Sequence, residues 1–151
     1  TFYVHTDDGA DRGRVVAIDV TKPEREGWRT VVPEADDTLE GAVMLQSELV
    51  CLYLHDASHR LRRFSTQGEA RGEVALPTLG SVDALHAERE GRELFYSFTS
   101  FLTPSRPYRF DLTTGESEAL PADGPDFDTS GYVTRQAFAT SRDGTRVPMF
   151  L

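Results

Sequence analysis

The chain has 151 residues, with 25 acidic and 16 basic side chains and a formal charge of −9 at pH 7. Its 38% of hydrophobic and 27% of charged residues are typical of one folded globular domain rather than of a disordered chain. It has no apolar run of about 18 residues that would predict a membrane span, and the acidic balance argues against nucleic-acid binding. The single cysteine, Cys51, excludes an internal disulfide and a cysteine-ligated zinc site.

Both ends of the sequence lie inside strand-like apolar runs. The chain begins without methionine, just before a run at residues 2–5, and stops within another at residues 147–151. Natural termini are usually polar and frayed, so we expect both ends to be cuts through a longer protein. Because the native N-terminus is then missing, the lack of a signal peptide does not settle export, and the cytoplasm is the predicted compartment.

The sequence repeats with a period near 45 residues. One anchor is an apolar residue that recurs every 46 residues, at Ile18, Phe64 and Phe110. A second anchor is a proline after an apolar residue, which recurs every 44 residues, at Pro33, Pro77 and Pro121. Two independent anchors with nearly equal spacing indicate a repeated structural unit.

Each unit divides into short strand-like segments separated by turn sequences. The first unit has three segments, at residues 2–5, 14–20 and 28–32. We expect its innermost strand to precede Thr1. The second and third units have four segments each, at residues 39–45, 48–54, 60–65 and 71–76, and at 81–87, 93–99, 107–112 and 116–120. The second segment of each four-segment unit is apolar without alternation, which predicts a strand covered on both faces.

Four-stranded antiparallel units of about 45 residues are typical of β-propeller blades. The predicted fold is therefore all-β, a partial β-propeller of about two and three-quarter blades over residues 1–125. Its blades are predicted at residues 1–33, 39–77 and 81–121. The alternative is a β-sandwich of about ten strands, which the repeat disfavours. Propellers close with about four to eight blades, so a longer protein or further copies of the chain would have to complete the ring.

The end of the chain departs from the repeat. Residues 121–125, Pro-Ala-Asp-Gly-Pro, are typical of a linker. Two apolar segments at 132–140 and 147–151 then flank an Asp-Gly turn signal, which predicts a β-hairpin. Because this hairpin breaks the period, residues 126–151 are predicted to begin a different domain.

Three stretches carry a family resemblance: Leu-Tyr-Leu-His-Asp at 52–56, the segment 93–104, and the exit segment 132–150. Together they resemble the prolyl oligopeptidase (prolyl endopeptidase) family of serine peptidases, across nearly the whole chain. The resemblance implies a seven-bladed propeller over an α/β-hydrolase domain of the same polypeptide, whose Ser-His-Asp triad cuts short peptides on the carboxyl side of proline. This chain would be the C-terminal part of that propeller followed by the first hairpin of the hydrolase domain.

The catalytic chemistry itself is absent from the sequence. No Gly-x-Ser-x-Gly nucleophile elbow occurs, and the family's triad lies downstream of a segment like this one. We therefore assign no catalytic residue, cofactor or metal, and expect the isolated chain to be inactive.

The predicted role of this segment is to gate a peptide substrate by size. The inner strands should line a channel, with four candidate channel residues, Glu40, Gly41, Ser81 and Asp83. The crossing into the next domain predicts an interdomain hinge at four positions, Asp126, Asp128, Gly131 and Tyr132.

Two motifs imitate metal sites. His55 and His59 have the spacing of a zinc-peptidase pair but lie on a predicted turn rather than on a helix, so we interpret them as exposed hairpin residues. Residues 126–131 copy the start of an EF-hand loop, yet its twelfth position is Ala137 instead of glutamate. Cys51 lies in the most apolar strand and is interpreted as packing.

A second functional interpretation stays open at this point. A non-catalytic propeller could bind a protein or peptide partner. The exit hairpin favours the peptidase, because a scaffold needs no hairpin that leads out of the ring. The uncovered end sheets also predict self-association of the isolated chain.

Overall fold

The computed structural model describes residues 1–122 and 128–151, which form an all-β structure with one short 3₁₀ helix, Arg25–Gly27. The strands make three antiparallel sheets, of three, four and four strands, and a separate two-stranded hairpin. Within these described ranges, no helix is long and apolar enough to cross a membrane.

Each sheet is built from consecutive strands in simple meander order. The first sheet contains β1 (Phe2–Thr6), β2 (Arg14–Ile18) and β3 (Arg29–Val32). The middle sheet contains β4 (Thr38–Leu45), β5 (Glu48–His55), β6 (Ser58–Ser65) and β7 (Ala70–Val74). The last sheet contains β8 (Ser81–Ala87), β9 (Glu93–Thr99), β10 (Arg106–Asp111) and β11 (Glu116–Ala119). The exit hairpin pairs β12 (Gln136–Thr140) with β13 (Arg146–Phe150).

The sequence repeat corresponds to a repeated turn. The first anchor falls at the end of β2, β6 and β10. In each case the side chain of the residue after the anchor accepts a hydrogen bond from the backbone amide two residues further along. The amide of Thr21 donates to Asp19 (2.9 Å), that of Gln67 to Ser65 (3.2 Å) and that of Thr113 to Asp111 (2.7 Å). Short polar side chains that bond in this way close the chain into a turn, which fixes where each strand stops.

The core consists of two clusters, one at each junction between sheets. The first cluster joins the first and middle sheets through Val15, Ala17, Val31, Val32, Leu39, Leu49, Cys51 and Tyr53. The second cluster joins the middle and last sheets through Leu45, Val50, Leu61, Val74, Val82, Leu94, Tyr96, Phe98 and Phe110. The middle sheet is therefore covered on both faces.

The predicted burial on both faces is confirmed for β5, whereas β9, in the sheet predicted to lie at an uncovered end, is buried on one face. In β5 the consecutive residues Leu49, Val50 and Cys51 are all buried. In β9 burial alternates, with Leu94 and Tyr96 buried and Phe95 39% exposed between them. The reason is tertiary, because the last sheet has a neighbouring sheet on one face only within the described residues.

The first and middle sheets approach each other closely at the turn after β6. Gly68 has φ +93°, and a Cβ built on it would lie 2.3 Å from the carbonyl oxygen of Val31. Only glycine combines this conformation with this approach. The turn therefore rests on the backbone of β3.

Candidate functional site

The candidate site lies on the first strands of the two four-stranded sheets. β4 and β8 are edge strands, each hydrogen-bonded to one partner, β5 and β9 respectively. They lie beside each other, so the two sheets meet at their first strands. All four predicted channel residues belong to this pair of strands.

Both strands carry a β-bulge at the same place. The register of β4 with β5 shifts between Leu39 and Gly41, and the register of β8 with β9 shifts between Val82 and Ala84. The extra residue of each bulge is acidic, Glu40 in β4 and Asp83 in β8, and both are exposed. A bulge leaves its extra residue outside the ladder and redirects the side chain. The structure thus presents one carboxylate from each strand at equivalent positions.

The two small channel candidates have different surroundings. Gly41 is half-buried, and a Cβ built on it would meet no atom within 4 Å, so its backbone faces open space. Ser81 is half-buried and lines a cavity of about 430 Å³, together with Gly80, Phe101 and Phe150. This cavity lies between the last sheet and the exit hairpin. That these four residues line a substrate channel stays a prediction.

The structure adds His59 to this site, a residue that the sequence reasoning set aside as exposed. Its Nε2 lies 2.9 Å from Oε2 of Glu40, and its Nδ1 accepts a hydrogen bond of 2.7 Å from the amide of Val82. The side chain is only 13% exposed. The interpretation of His59 as an exposed hairpin residue is therefore wrong, because the neighbouring sheet covers it. The sequence spacing of His55 and His59 alone does not indicate the contact of His59 with Val82.

The turn that precedes His59 is formed as predicted. Asp56 and Ala57 connect β5 to β6 with φ values of +47° and +59°. Two consecutive left-handed residues make a type I′ turn, the connection that matches the twist of a hairpin. His55 and His59 consequently bond to different partners instead of sharing one ligand.

A second polar cluster surrounds Asp37 in the connection before β4. His55 Nδ1 lies 2.6 Å from its carboxylate, Arg62 bonds its other oxygen, and the Asp37 side chain is only 12% exposed. Burial alone would raise the pKa of Asp37, but the hydrogen bonds from His55 and Arg62 outweigh it, so the pKa lies below its ordinary value. The Arg62 guanidinium also lies 4.7 Å above the ring of Tyr53. The cluster ties the start of β4 to β5 and β6.

Two further side chains with nucleophilic groups, Cys51 and Ser58, are not free to react. Burial raises the pKa of the Cys51 thiol to about 12, so it stays protonated at neutral pH, which agrees with a packing role. The Ser58 hydroxyl donates to the carbonyl of His55 (3.0 Å). Among the residues that the structure describes, no group of three or more His, Cys, Asp or Glu side chains is arranged to hold a metal ion.

The predicted hinge is described in part. Asp126 lies outside the described residues. The amide of Ser130 donates to Asp128 (3.0 Å), and the hydrogen bonds from the Ser130 side chain and backbone lower the pKa of Asp128. Gly131 is exposed, and Tyr132 is 72% exposed, with its amide bonded to the carbonyl of Thr129.

The exit hairpin contacts the two four-stranded sheets at two points. The side-chain amide of Gln136 donates to the carbonyl of Asp56 (2.6 Å), at the tip of the β5–β6 turn. The rings of Phe101 and Phe150 lie 5.4 Å apart, centre to centre, beside the 430 Å³ cavity. The hairpin therefore rests on the end of the sheets where Ser81 lies.

Repeated four-stranded meanders that meet at their first strands define a β-propeller. The family model described as the prolyl oligopeptidase N-terminal β-propeller domain matches residues 1–123. The chain belongs to the prolyl oligopeptidase family, and residues 1–123 are propeller.

Two curated relatives illustrate the likeness in sequence. The prolyl endopeptidase of Elizabethkingia meningoseptica is 30% identical over 100% of this chain and 21% of its own length. The dipeptidyl aminopeptidase BI of Pseudoxanthomonas mexicana is 30% identical over 95% of this chain and 20% of its own length. The chain thus spans about a fifth of the length of these relatives.

Solved structures show the same fold. A prolyl endopeptidase, studied for the role of inter-domain dynamics in catalysis and specificity, superposes with a TM-score of 0.88 at 36% identity, over 99% of this chain and 22% of that one. The apo prolyl oligopeptidase B of Galerina marginata superposes with a TM-score of 0.83 at 24% identity, over 98% of this chain and 22% of that one.

Proposed function

We propose that this chain acts as part of a serine endopeptidase that cleaves short peptides on the carboxyl side of proline. The observation that carries the proposal is the likeness to prolyl endopeptidases along the entire chain, at 30% identity in sequence and with a TM-score of 0.88 in structure. The likeness extends through the exit hairpin, beyond the propeller match that ends at residue 123. A propeller that serves only as a scaffold gives no reason for that continuation.

The proposed role of these residues is to control which substrates reach the active site. β4 and β8 meet at their edges, and each contributes one bulged carboxylate, Glu40 or Asp83, next to the small residues Gly41 and Ser81. A ring interior of fixed width admits an extended peptide and rejects a folded protein. Peptide binding is supported by a structural neighbour, the Galerina marginata enzyme, which has been solved with a 35mer hydrolysis and macrocyclization substrate.

The chain by itself is proposed to be inactive. Its 151 residues contain no Gly-x-Ser-x-Gly elbow, and the buried Cys51 thiol, with a pKa of about 12, offers no substitute nucleophile. Catalysis would require the hydrolase domain of the same polypeptide.

The segment around Gly131 is proposed as the interdomain hinge. Gly131 meets no neighbour at its Cβ position, and Tyr132 beside it is mostly exposed, so few contacts hold these two residues. In the parent enzyme, Gly131→Pro should lower kcat for short and long peptides by restricting domain opening. Unchanged turnover for both peptide lengths would contradict the hinge.

The gene product that contains these residues tests the main proposal. We expect it to release a chromogenic group placed after proline, to leave the matched alanine peptide nearly uncut, and to lose activity with a serine-directed fluorophosphonate. Short proline peptides should be cut, whereas a folded protein with exposed prolines should not. A product with no fluorophosphonate-reactive serine would overturn the proposal in favour of a non-catalytic propeller.

A further inference from the structure

The two junctions between sheets are closed by different chemical groups at the same point. At the first junction, the amide of Leu39 donates to the backbone carbonyl of Arg12 (2.7 Å). At the second junction, the amide of Val82 donates to the ring Nδ1 of His59 (2.7 Å). Leu39 and Val82 both immediately precede the bulged acid of their strand. The amide before the bulged acid is therefore accepted by a peptide carbonyl at one junction and by an imidazole at the other.

The repeat places glycine where the second junction has histidine. Gly13 lies 46 residues before His59, the period of the first sequence anchor. A Cβ on Gly13 would lie 2.8 Å from Nε2 of His5 and 3.0 Å from the carbonyl oxygen of Leu39, so both a side chain and the backbone of β4 approach Gly13 closely. At the second junction the His59 ring fills this space, and its own amide donates to the carbonyl of Gly80 (2.9 Å).

The hydrogen bonds fix which nitrogen of His59 carries a proton. Because Nδ1 accepts from the amide of Val82, the neutral ring holds its proton on Nε2, which lies 2.9 Å from Oε2 of Glu40. A second proton would sit on Nδ1 and face the Val82 N–H, so that two donors would oppose each other.

The charged surroundings of the ring are few. From β4, the carboxylate of Glu40 faces Nε2 and is 37% exposed. From β8, the ring meets the uncharged amide of Val82, and the next residue, Asp83, is exposed. On β5 the residue opposite His59 is the apolar Leu54, and Arg60 is its basic neighbour on β6. Nε2 carries a proton in either charge state, so the change on protonation falls on Nδ1, which faces the amide of Val82.

We propose that His59 is a pH-sensitive latch between the middle and last sheets. Protonation of its ring releases the amide of Val82 and loosens this junction at the inner strands, while the junction at Leu39 stays closed. Among side chains, histidine is the one that mild acid ordinarily protonates. This inference concerns the propeller alone and holds whether or not the proposed peptidase activity does.

Amide hydrogen exchange of the intact protein tests the latch, because the Leu39 amide is an internal reference. Protection factors for Val82 and Leu39, corrected for the intrinsic effect of pH on exchange, are compared between about pH 8 and about pH 5. We expect Val82 to lose at least about tenfold in protection on acidification and Leu39 to keep its protection. Equal changes at both amides would overturn the proposal.

A matched pair of variants separates titration from packing. His59→Asn places an amide oxygen near the Nδ1 position and cannot titrate, so protection of Val82 should become independent of pH. His59→Gln places its amide near the Nε2 position and should leave Val82 poorly protected at every pH. A pH-dependent loss at Val82 that persists in His59→Asn would overturn the latch. If neither variant folds, the comparison of Val82 with Leu39 in the unaltered protein decides the question.

Discussion

The middle and last sheets have the same strand order but differ in how they are covered. The middle sheet lies between two neighbours, so that its second strand, β5, buries three residues in a row. Among the residues that the structure describes, the last sheet packs on one neighbouring sheet, so that its second strand, β9, alternates between buried and exposed side chains. Similar apolar sequences therefore take different burial patterns, because a β-strand has two faces and each needs its own neighbour.

The largest expected effect is the difference in stability loss between substitutions on the two faces of β9. Phe98 is fully buried, with its ring 6.1 Å from that of Tyr108, whereas Phe95 is 39% exposed. In the 151-residue chain, Phe98→Ala should lower the free energy of unfolding by about 3–5 kcal/mol. Phe95→Ala should lower it by less than about 1 kcal/mol. Urea unfolding of both variants measures the difference.

Equal losses at Phe95 and Phe98 would break this comparison. They would show that a second copy of the chain covers the outer face of the last sheet. Light scattering at the same protein concentration would then report an oligomer.

The next effect concerns the close approach of the middle sheet to the first sheet. Gly68→Ala places a methyl group 2.3 Å from the Val31 carbonyl and also strains a left-handed residue. We expect a loss of about 2–5 kcal/mol in unfolding free energy. Gly72→Ala is the matched control, because Gly72 has nearly the same φ, +99°, but open space at its Cβ position. It should cost only about 1–2 kcal/mol. Similar losses for both variants would refute a backbone contact at Gly68.

A pH-dependent effect tests the Asp37 cluster of the middle sheet. Because the folded-state pKa of Asp37 is lowered, its stabilisation is present above the unfolded value, near about pH 4, and is lost as pH falls through the folded-state pKa. Asp37→Asn should therefore cost about 1.5–3 kcal/mol at neutral pH and progressively less below about pH 4. The exposed neighbour Asp36 serves as control, and Asp36→Asn should have little effect. A cost at Asp37 that is constant down to about pH 2 would contradict the role of its charge.

The smallest effect is a gain in stability at the β5–β6 turn. Ala57 has φ +59°, a conformation that costs an L-residue about 1–2 kcal/mol. Ala57→Gly should raise the free energy of unfolding by about 0.5–1 kcal/mol after the greater freedom of glycine in the unfolded chain is subtracted. Ala70→Gly, in a strand, should lower stability instead. Thermal unfolding of the two variants gives the signs, and a loss at Ala57 would show that the turn is not type I′.

Much of the fold could be predicted because its signals are local. The anchors Ile18, Phe64 and Phe110 precede side chains that close turns on their own neighbours, and the Asp-Gly turn before β13 does the same. These contacts span two residues of sequence, so the residue types alone report them. The strands and the family resemblance follow from these local patterns.

The candidate site could be predicted only in part. Glu40 and Asp83 were identified as polar members of inner strands, and the structure adds that each is the extra residue of a β-bulge. His59 was missed, because its partners lie 19 residues earlier, at Glu40, and 23 residues later, at Val82. No spacing rule links residues on strands that are not paired with each other, whether in one sheet, as for Glu40, or in neighbouring sheets, as for Val82.

By itself, the sequence determined the repeat, the strands, the turns and the family, all of which depend on residue type and near-neighbour spacing. Only the tertiary structure decided which strand faces are covered and that His59 contacts the neighbouring sheet. It also decided that the Val82 amide bonds to an imidazole at the second junction, whereas the Leu39 amide bonds to a peptide carbonyl at the first. Burial and contacts between sheets depend on what lies across each face, and that is a property of the assembled fold rather than of any segment.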